Sequence, residues 1–210
     1  VLEGDDSLGA AELVHQLADS GATVALLWTK AVPGVLAAQS DTSLRHVIAV
    51  DLAHDLPLMK RLALRLPIKK ARRTAEAMRG PVPAGVPLWH KVHRAAEPLP
   101  ADHPEPLSSD IALLQYTGGT TGTPKAATLS HANLVANAVQ GAAWTGHRTG
   151  TETVFGVLPF FHAFGLTLCL SYAIRIAATL VIFPSFDTAL VLAAQRRRRV
   201  RAALRLDDLV

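Results

Sequence analysis

The chain has 210 residues, half of them hydrophobic and 18% charged, with a single cysteine. That composition excludes a disordered tail or a collagen-like repeat, and one cysteine, Cys169, excludes a disulfide framework or a multi-cysteine zinc site. The formal charge of +4 equals the balance of six arginines and two aspartates in 196–210, while 1–195 holds 15 basic and 15 acidic groups, so the charge makes no case for a nucleic-acid partner.

In chain order, residues 12–20 read as a helix ended by Gly21, and 23–28 (TVALLW) as a buried strand. Residues 47–50 (VIAV) read as a second strand; both have the short, β-branched character of central parallel strands. Seven prolines between 81 and 106 predict a long irregular connection. A strand is expected at 111–116 (IALLQY), then a Gly/Thr loop, then a short strand at 126–129. Ser130 is placed to cap a helix over 131–144. Strands follow at 153–158 and 179–183, with a helix at 164–176 between them and another beginning at 188–195. Strands alternating with helices predict an α/β layered fold.

The first residues, Val1-Leu2-Glu3-Gly4-Asp5-Asp6, are acidic where a secretion signal is basic, and the first residue is not methionine. A piece of a longer protein in a reduced, cytoplasmic compartment is the expectation. The most membrane-like stretch, 154–183, is broken by Gly156, Pro159, His162, Gly165 and Arg175, and the run 163–174 between His162 and Arg175 is too short to span a bilayer.

Chemistry concentrates in Tyr116-Thr117-Gly118-Gly119-Thr120-Thr121-Gly122-Thr123-Pro124-Lys125. A polyphosphate needs many donors at short range without bulk. Three glycines let backbone N–H groups turn inward, four threonines add hydroxyls, and Lys125 adds a full charge at the rim. The run follows a predicted strand, where ligand loops of α/β proteins lie. It is neither a Walker A loop, since Pro124 precedes the lysine and Ala126 follows it, nor a G-x-G-x-x-G turn.

This segment resembles the phosphate loop of adenylate-forming enzymes, usually Y-T-S-G-T-T-G-x-P-K-G, with Gly118 in place of serine and Ala126 in place of the last glycine. The resemblance continues through Leu129-Ser130-His131-Ala132-Asn133-Leu134 and Leu158-Pro159-Phe160-Phe161-His162-Ala163-Phe164-Gly165. The wording of 1–195 is most similar to bacterial long-chain fatty-acid–CoA ligases. The resemblance implies part of the N-terminal domain of that fold over 1–195, a mostly parallel sheet with flanking helices, and a divergent arginine-rich tail over 196–210. It implies acyl-adenylate formation from a fatty acid and ATP with Mg²⁺, then thioester formation with coenzyme A. Thr117, Gly118, Gly119, Thr120, Thr121, Gly122, Thr123 and Lys125 would form the phosphate loop. His162 would sit near the carboxylate and α-phosphate, with Phe160, Phe161 and Phe164 on the acyl side.

The family's Mg²⁺-binding Thr-Glu pair, ribose aspartate and catalytic lysine have no counterpart here; Asp187, Asp207 and Asp208 stand in other contexts. The change to arginines after Gln195 fits a frameshifted or truncated gene, or a genuine basic tail. Two functions stay open: a ligase portion inactive by itself, or a non-catalytic remnant that binds phosphate or a membrane. Residues 56–79 carry eight basic groups and one acid among leucines. They read either as a peripheral membrane-surface segment or as a solvated basic face broken at Pro67. His90, His93 and His103 lack partners at ligand spacing, so no metal site is expected. Cys169 reads as a packed core residue.

Overall fold

The computed structural model describes residues 10–117, 124–146, 148–183 and 187–198. It divides into two compact units, 1–103 and 104–210.

The first unit opens with α1 (Ala10–Ser20), closed by Gly21 at φ +61°, a left-handed position that glycine occupies without a Cβ penalty. β1 (Val24–Trp28) and β2 (His46–Val50) pair in parallel, Val24 opposite His46 through Trp28 opposite Val50. Their side chains alternate in burial, so Ala25, Leu27, Val47 and Ala49 face one core. That core also holds Leu17 of α1, and Val32 and Val35 of α2 (Val32–Ala37). Val32 and Val35 are fully buried, and burying such side chains contributes about 1.5–3 kcal/mol each. This packing forms a helix that Pro33 and Gly34 conceal in the sequence.

The basic segment forms α3 (Leu58–Ala63) and α4 (Lys69–Met78), separated by the stretch containing Pro67. The end of α4 is tied to the β1–β2 edge. Trp28 Nε1 donates to the Met78 carbonyl at 2.9 Å, and Arg79 Nε meets Asp51 at 3.1 Å. The proline-rich connection contains one helix, α5 (Trp89–Ala95), and Ala49 N–H donates to the Pro87 carbonyl at 2.9 Å.

The second unit begins with β3 (Ile111–Thr117) and β4 (Lys125–Ser130), which pair antiparallel. This pair is antiparallel, within a set of strand pairs that is otherwise parallel as expected, for a simple reason. Seven residues join Thr117 to Lys125, and a parallel crossover needs a dozen or more. The described strands thus form three two-stranded pairs, two of them parallel. Ser130 caps α6 (His131–Thr145) as expected, in a reciprocal box. Its Oγ accepts from Asn133 N–H at 3.3 Å, and its own N–H donates to Asn133 Oδ1 at 2.9 Å.

β5 (Thr153–Gly156) and β6 (Thr179–Ile182) form the second parallel pair. Between them the expected helix is present, but Gly165–Ser171 winds as a π-helix before α7 (Tyr172–Arg175). Ala177 then adopts φ +52°, and Ala178 N–H donates back to the Ala173 carbonyl at 2.8 Å, a left-handed helix stop made without glycine. Val154, Cys169, Tyr172, Ala173 and Ile176 are the core here. The Tyr172 hydroxyl meets Thr145 Oγ1 at 2.9 Å, joining α7 to the end of α6, and burial raises its pKa. The last described helix, α8 (Thr188–Arg198), passes through position 195 without a break.

Candidate functional site

The Gly/Thr run lies in the chain between β3 and β4. Of the expected phosphate-loop residues, Gly118, Gly119, Thr120, Thr121, Gly122 and Thr123 lie outside the described residues. The structure places the two ends of that loop. Thr117 is the last residue of β3 and Lys125 the first of β4, and they are register partners. Lys125 is exposed, at the first position of β4.

His162 lies in the second motif, in the connection from β5 to the π-helix, with an exposed side chain. Its ring is tilted 32° to that of Phe161, with centroids 4.9 Å apart. The His162 N–H donates to the Pro159 carbonyl at 3.2 Å, and its carbonyl accepts from Leu166 N–H at 2.9 Å. Of the three phenylalanines expected on the acyl side, Phe161 and Phe164 are exposed. Phe160 instead packs partly buried against the core of this unit.

The two motifs are joined by a side chain outside the expected set. Gln115 Nε2, two residues before the end of β3, donates to the Phe161 carbonyl at 2.8 Å. The histidine turn is thereby held against the strand that carries the loop. The sequence signal was faint: one amide in an otherwise apolar strand, IALLQYT.

Gly165 was part of the recognised motif, but its role is steric. A Cβ built there would lie 2.1 Å from the Pro159 carbonyl oxygen and 2.8 Å from its carbon. The π-helix therefore begins where helix backbone presses on the turn that presents His162. π-turns recur at functional sites.

Cys169 is buried, and desolvation pushes its thiol up, which keeps it protonated and unreactive. The His54 and His90 rings stack with centroids 3.9 Å apart. Among the described residues no three His, Cys, Asp or Glu side chains converge as a metal site. A cleft of about 400 Å³ lined by Leu36, Arg45, His46, Val86, Pro87 and Val92 contains none of the candidate residues.

The family model described as AMP-binding enzyme matches residues 4–203. The long-chain-fatty-acid–CoA ligase of Bacillus subtilis (strain 168) is 48% identical over 79 residues, 37% of this chain and 14% of that protein. The enzyme of the same name from Salmonella typhimurium is 33% identical over 172 residues, 77% of this chain and 29% of its own. The chain thus spans less than a third of the length of these relatives. Among solved structures, the anthranilate CoA ligase AuaEII in complex with anthranoyl-AMP superposes with a TM-score of 0.70 at 20% identity. That match covers 95% of this chain and 34% of the other, and shows a shared α/β fold.

Proposed function

The chain belongs to the AMP-binding enzyme family, and on that premise we propose that it is the phosphate-loop and acyl-side portion of an ATP-dependent long-chain fatty-acid–CoA ligase. The family-like part is taken as 1–195 and the arginine-rich 196–210 as a divergent tail, with the family match itself running on to 203. The reading is carried by one observation: the strand that leads into the Gly/Thr run is hydrogen-bonded to the turn bearing His162.

On this reading Thr117, Gly118, Gly119, Thr120, Thr121, Gly122 and Thr123 hold the β- and γ-phosphates of ATP. Lys125 offsets charge on pyrophosphate as it leaves. The fatty-acid carboxylate attacks the α-phosphorus, the bond to pyrophosphate breaks, and acyl-AMP forms with His162 orienting the reacting end. Coenzyme A thiol then displaces AMP. Among the described residues no cluster of three or more His, Cys, Asp or Glu side chains converges that would hold Mg²⁺.

The test is limited proteolysis of the folded chain with and without pyrophosphate or ATP. Either ligand should slow cleavage within 117–125. Lys125→Ala should weaken that protection about tenfold in ligand concentration, the loss of one charge-assisted contact. An identical cleavage pattern with and without ligand refutes the phosphate reading.

A second reading, membrane-surface association, is favoured by the exposure of α3 and the stretch after it. Leu58 is 67% and Met59 76% exposed, and Leu62, Leu66 and Ile68 are exposed too. Lys60, Arg65, Lys69 and Arg73 are exposed on the same segment. Apolar side chains among cations suit an anionic bilayer surface, each cation contributing about 1 kcal/mol at low salt. The compartment on this reading is cytoplasmic, at the inner membrane surface. No described helix is long and apolar enough to cross a membrane. The chain should sediment with vesicles containing phosphatidylglycerol and remain in solution with phosphatidylcholine alone. Equal sedimentation with both at low salt counts against it.

A further inference from the structure

We infer that Gln115 is a positioning residue that holds the His162 turn against β3; its bearing on catalysis rests on the reading of His162 given above. The peptide between Phe161 and His162 is held at both ends. Its carbonyl accepts from Gln115 Nε2 at 2.8 Å, and its N–H donates to the Pro159 carbonyl at 3.2 Å. The next carbonyl, that of His162, accepts from Leu166 N–H at 2.9 Å.

Two of these three bonds are local to the turn and helix, separated by three and four residues. They shape the turn but do not say where it stands. The Gln115 bond spans 46 residues and sets the turn's place relative to the hairpin. Gln115 is the register partner of Ala127, and Thr117, two residues on, is the partner of Lys125. Two strand residues cover roughly 7 Å, so the glutamine joins the histidine turn to the strand close to where the loop begins.

The amide chemistry suits the task. A primary amide offers two N–H donors and reaches a carbonyl without adding charge. Glutamate has nearly the same shape but, when ionised, turns an acceptor toward the Phe161 carbonyl. Leucine offers no polar atom. Each substitution should release the peptide, let the His162 side chain reorient, and leave the hairpin register intact.

The experiment uses the full 210-residue chain labelled with ¹³C and ¹⁵N, as wild type, Gln115→Leu and Gln115→Glu; His162→Ala assigns the histidine signals. In the unliganded protein both Gln115 variants should shift the Phe161 carbonyl, His162 amide and His162 ring resonances, with β4 amides unchanged. If either folded variant leaves those resonances at their wild-type positions, the inference is wrong whatever any ligand does. Gln115→Glu keeps the side-chain length should Gln115→Leu fail to fold.

A second arm measures binding of a non-hydrolysable long-chain acyl-sulfamoyl adenosine and of pyrophosphate. Affinity for the acyl analogue should fall about five- to tenfold in the variants, the worth of one hydrogen bond, while pyrophosphate affinity changes less than about twofold. Equal losses for both ligands would mark a general structural role and overturn the positioning role. If wild type binds neither ligand, the ligase reading falls, and the resonance shifts alone decide for or against the Gln115 tie.

Discussion

Gly165→Ala should destabilise the second unit by about 3 kcal/mol, the upper end of ordinary overpacking costs. The added methyl would sit 2.1 Å from the Pro159 carbonyl oxygen and 3.1 Å from that of Leu158. Both obstacles are backbone atoms in a buried position, so no flexible side chain can swing aside. Either the π-helical segment moves off the 157–162 turn or the turn moves off the helix. In both cases the His162 N–H bond to Pro159 and the Leu166 bond to His162 are strained together. Gly34→Ala is the matched control. Gly34 lies in α2 with open space around its would-be Cβ, so alanine there should stabilise by about 0.5–1 kcal/mol through helix propensity. Urea unfolding of the two variants should move the midpoint in opposite directions. A Gly165→Ala cost below about 1 kcal/mol would show that the close approach is relieved at little expense and is no constraint on the turn.

A protein consisting of these 210 residues should give no acyl-CoA above background from oleate, ATP, Mg²⁺ and coenzyme A. Adenylation needs metal-bound ATP, an oriented carboxylate and neutralisation of charge at the α-phosphate. The residues assigned here are a phosphate loop, Lys125 and His162. The sequence offers no counterpart of the family's Mg²⁺ ligands, ribose aspartate or catalytic lysine. Losing one well-placed electrostatic contact costs about 10²–10³ in rate. Several such losses do not add simply, yet together they bring turnover to the uncatalysed level. Acyl-AMP is measured separately from acyl-CoA, because the two half-reactions need different groups. Robust product that vanishes in Lys125→Ala would mean that the catalytic set lies in residues assigned here to packing. That result would sink the inactive-portion reading and leave the phosphate loop standing.

The motifs were legible without a structure because they are local. Thr117 to Lys125, and Pro159 to Gly165, are recognisable by residue type and order, and the family match over 4–203 agrees with the family those residues implied. The bounds of α6 were legible for the same reason, since Ser130 and Asn133 satisfy the helix start within four residues. β1 and β2 were visible as short β-branched runs. The short helices α2 and α5 were not. Proline and glycine interrupt the first, prolines surround the second, and α2 owes its place to Val32 and Val35 packing on strands distant in sequence.

Other features were decided by tertiary structure alone. Hydrophobic periodicity over 164–176 marks a helix but cannot tell an α-turn from a π-turn over two turns; the winding there accompanies the contact of Gly165 with Pro159. Composition could not choose between a covered and an open face for 58–68, and the fold leaves Leu58 and Met59 in solvent. Gln115 read as a polar residue in a strand until its partner, 46 positions away, came within 2.8 Å. Residue identity fixes which chemistry a segment can perform. Long-range hydrogen bonds and backbone contacts fix which segments perform it together, because their energies depend on positions that no local pattern encodes.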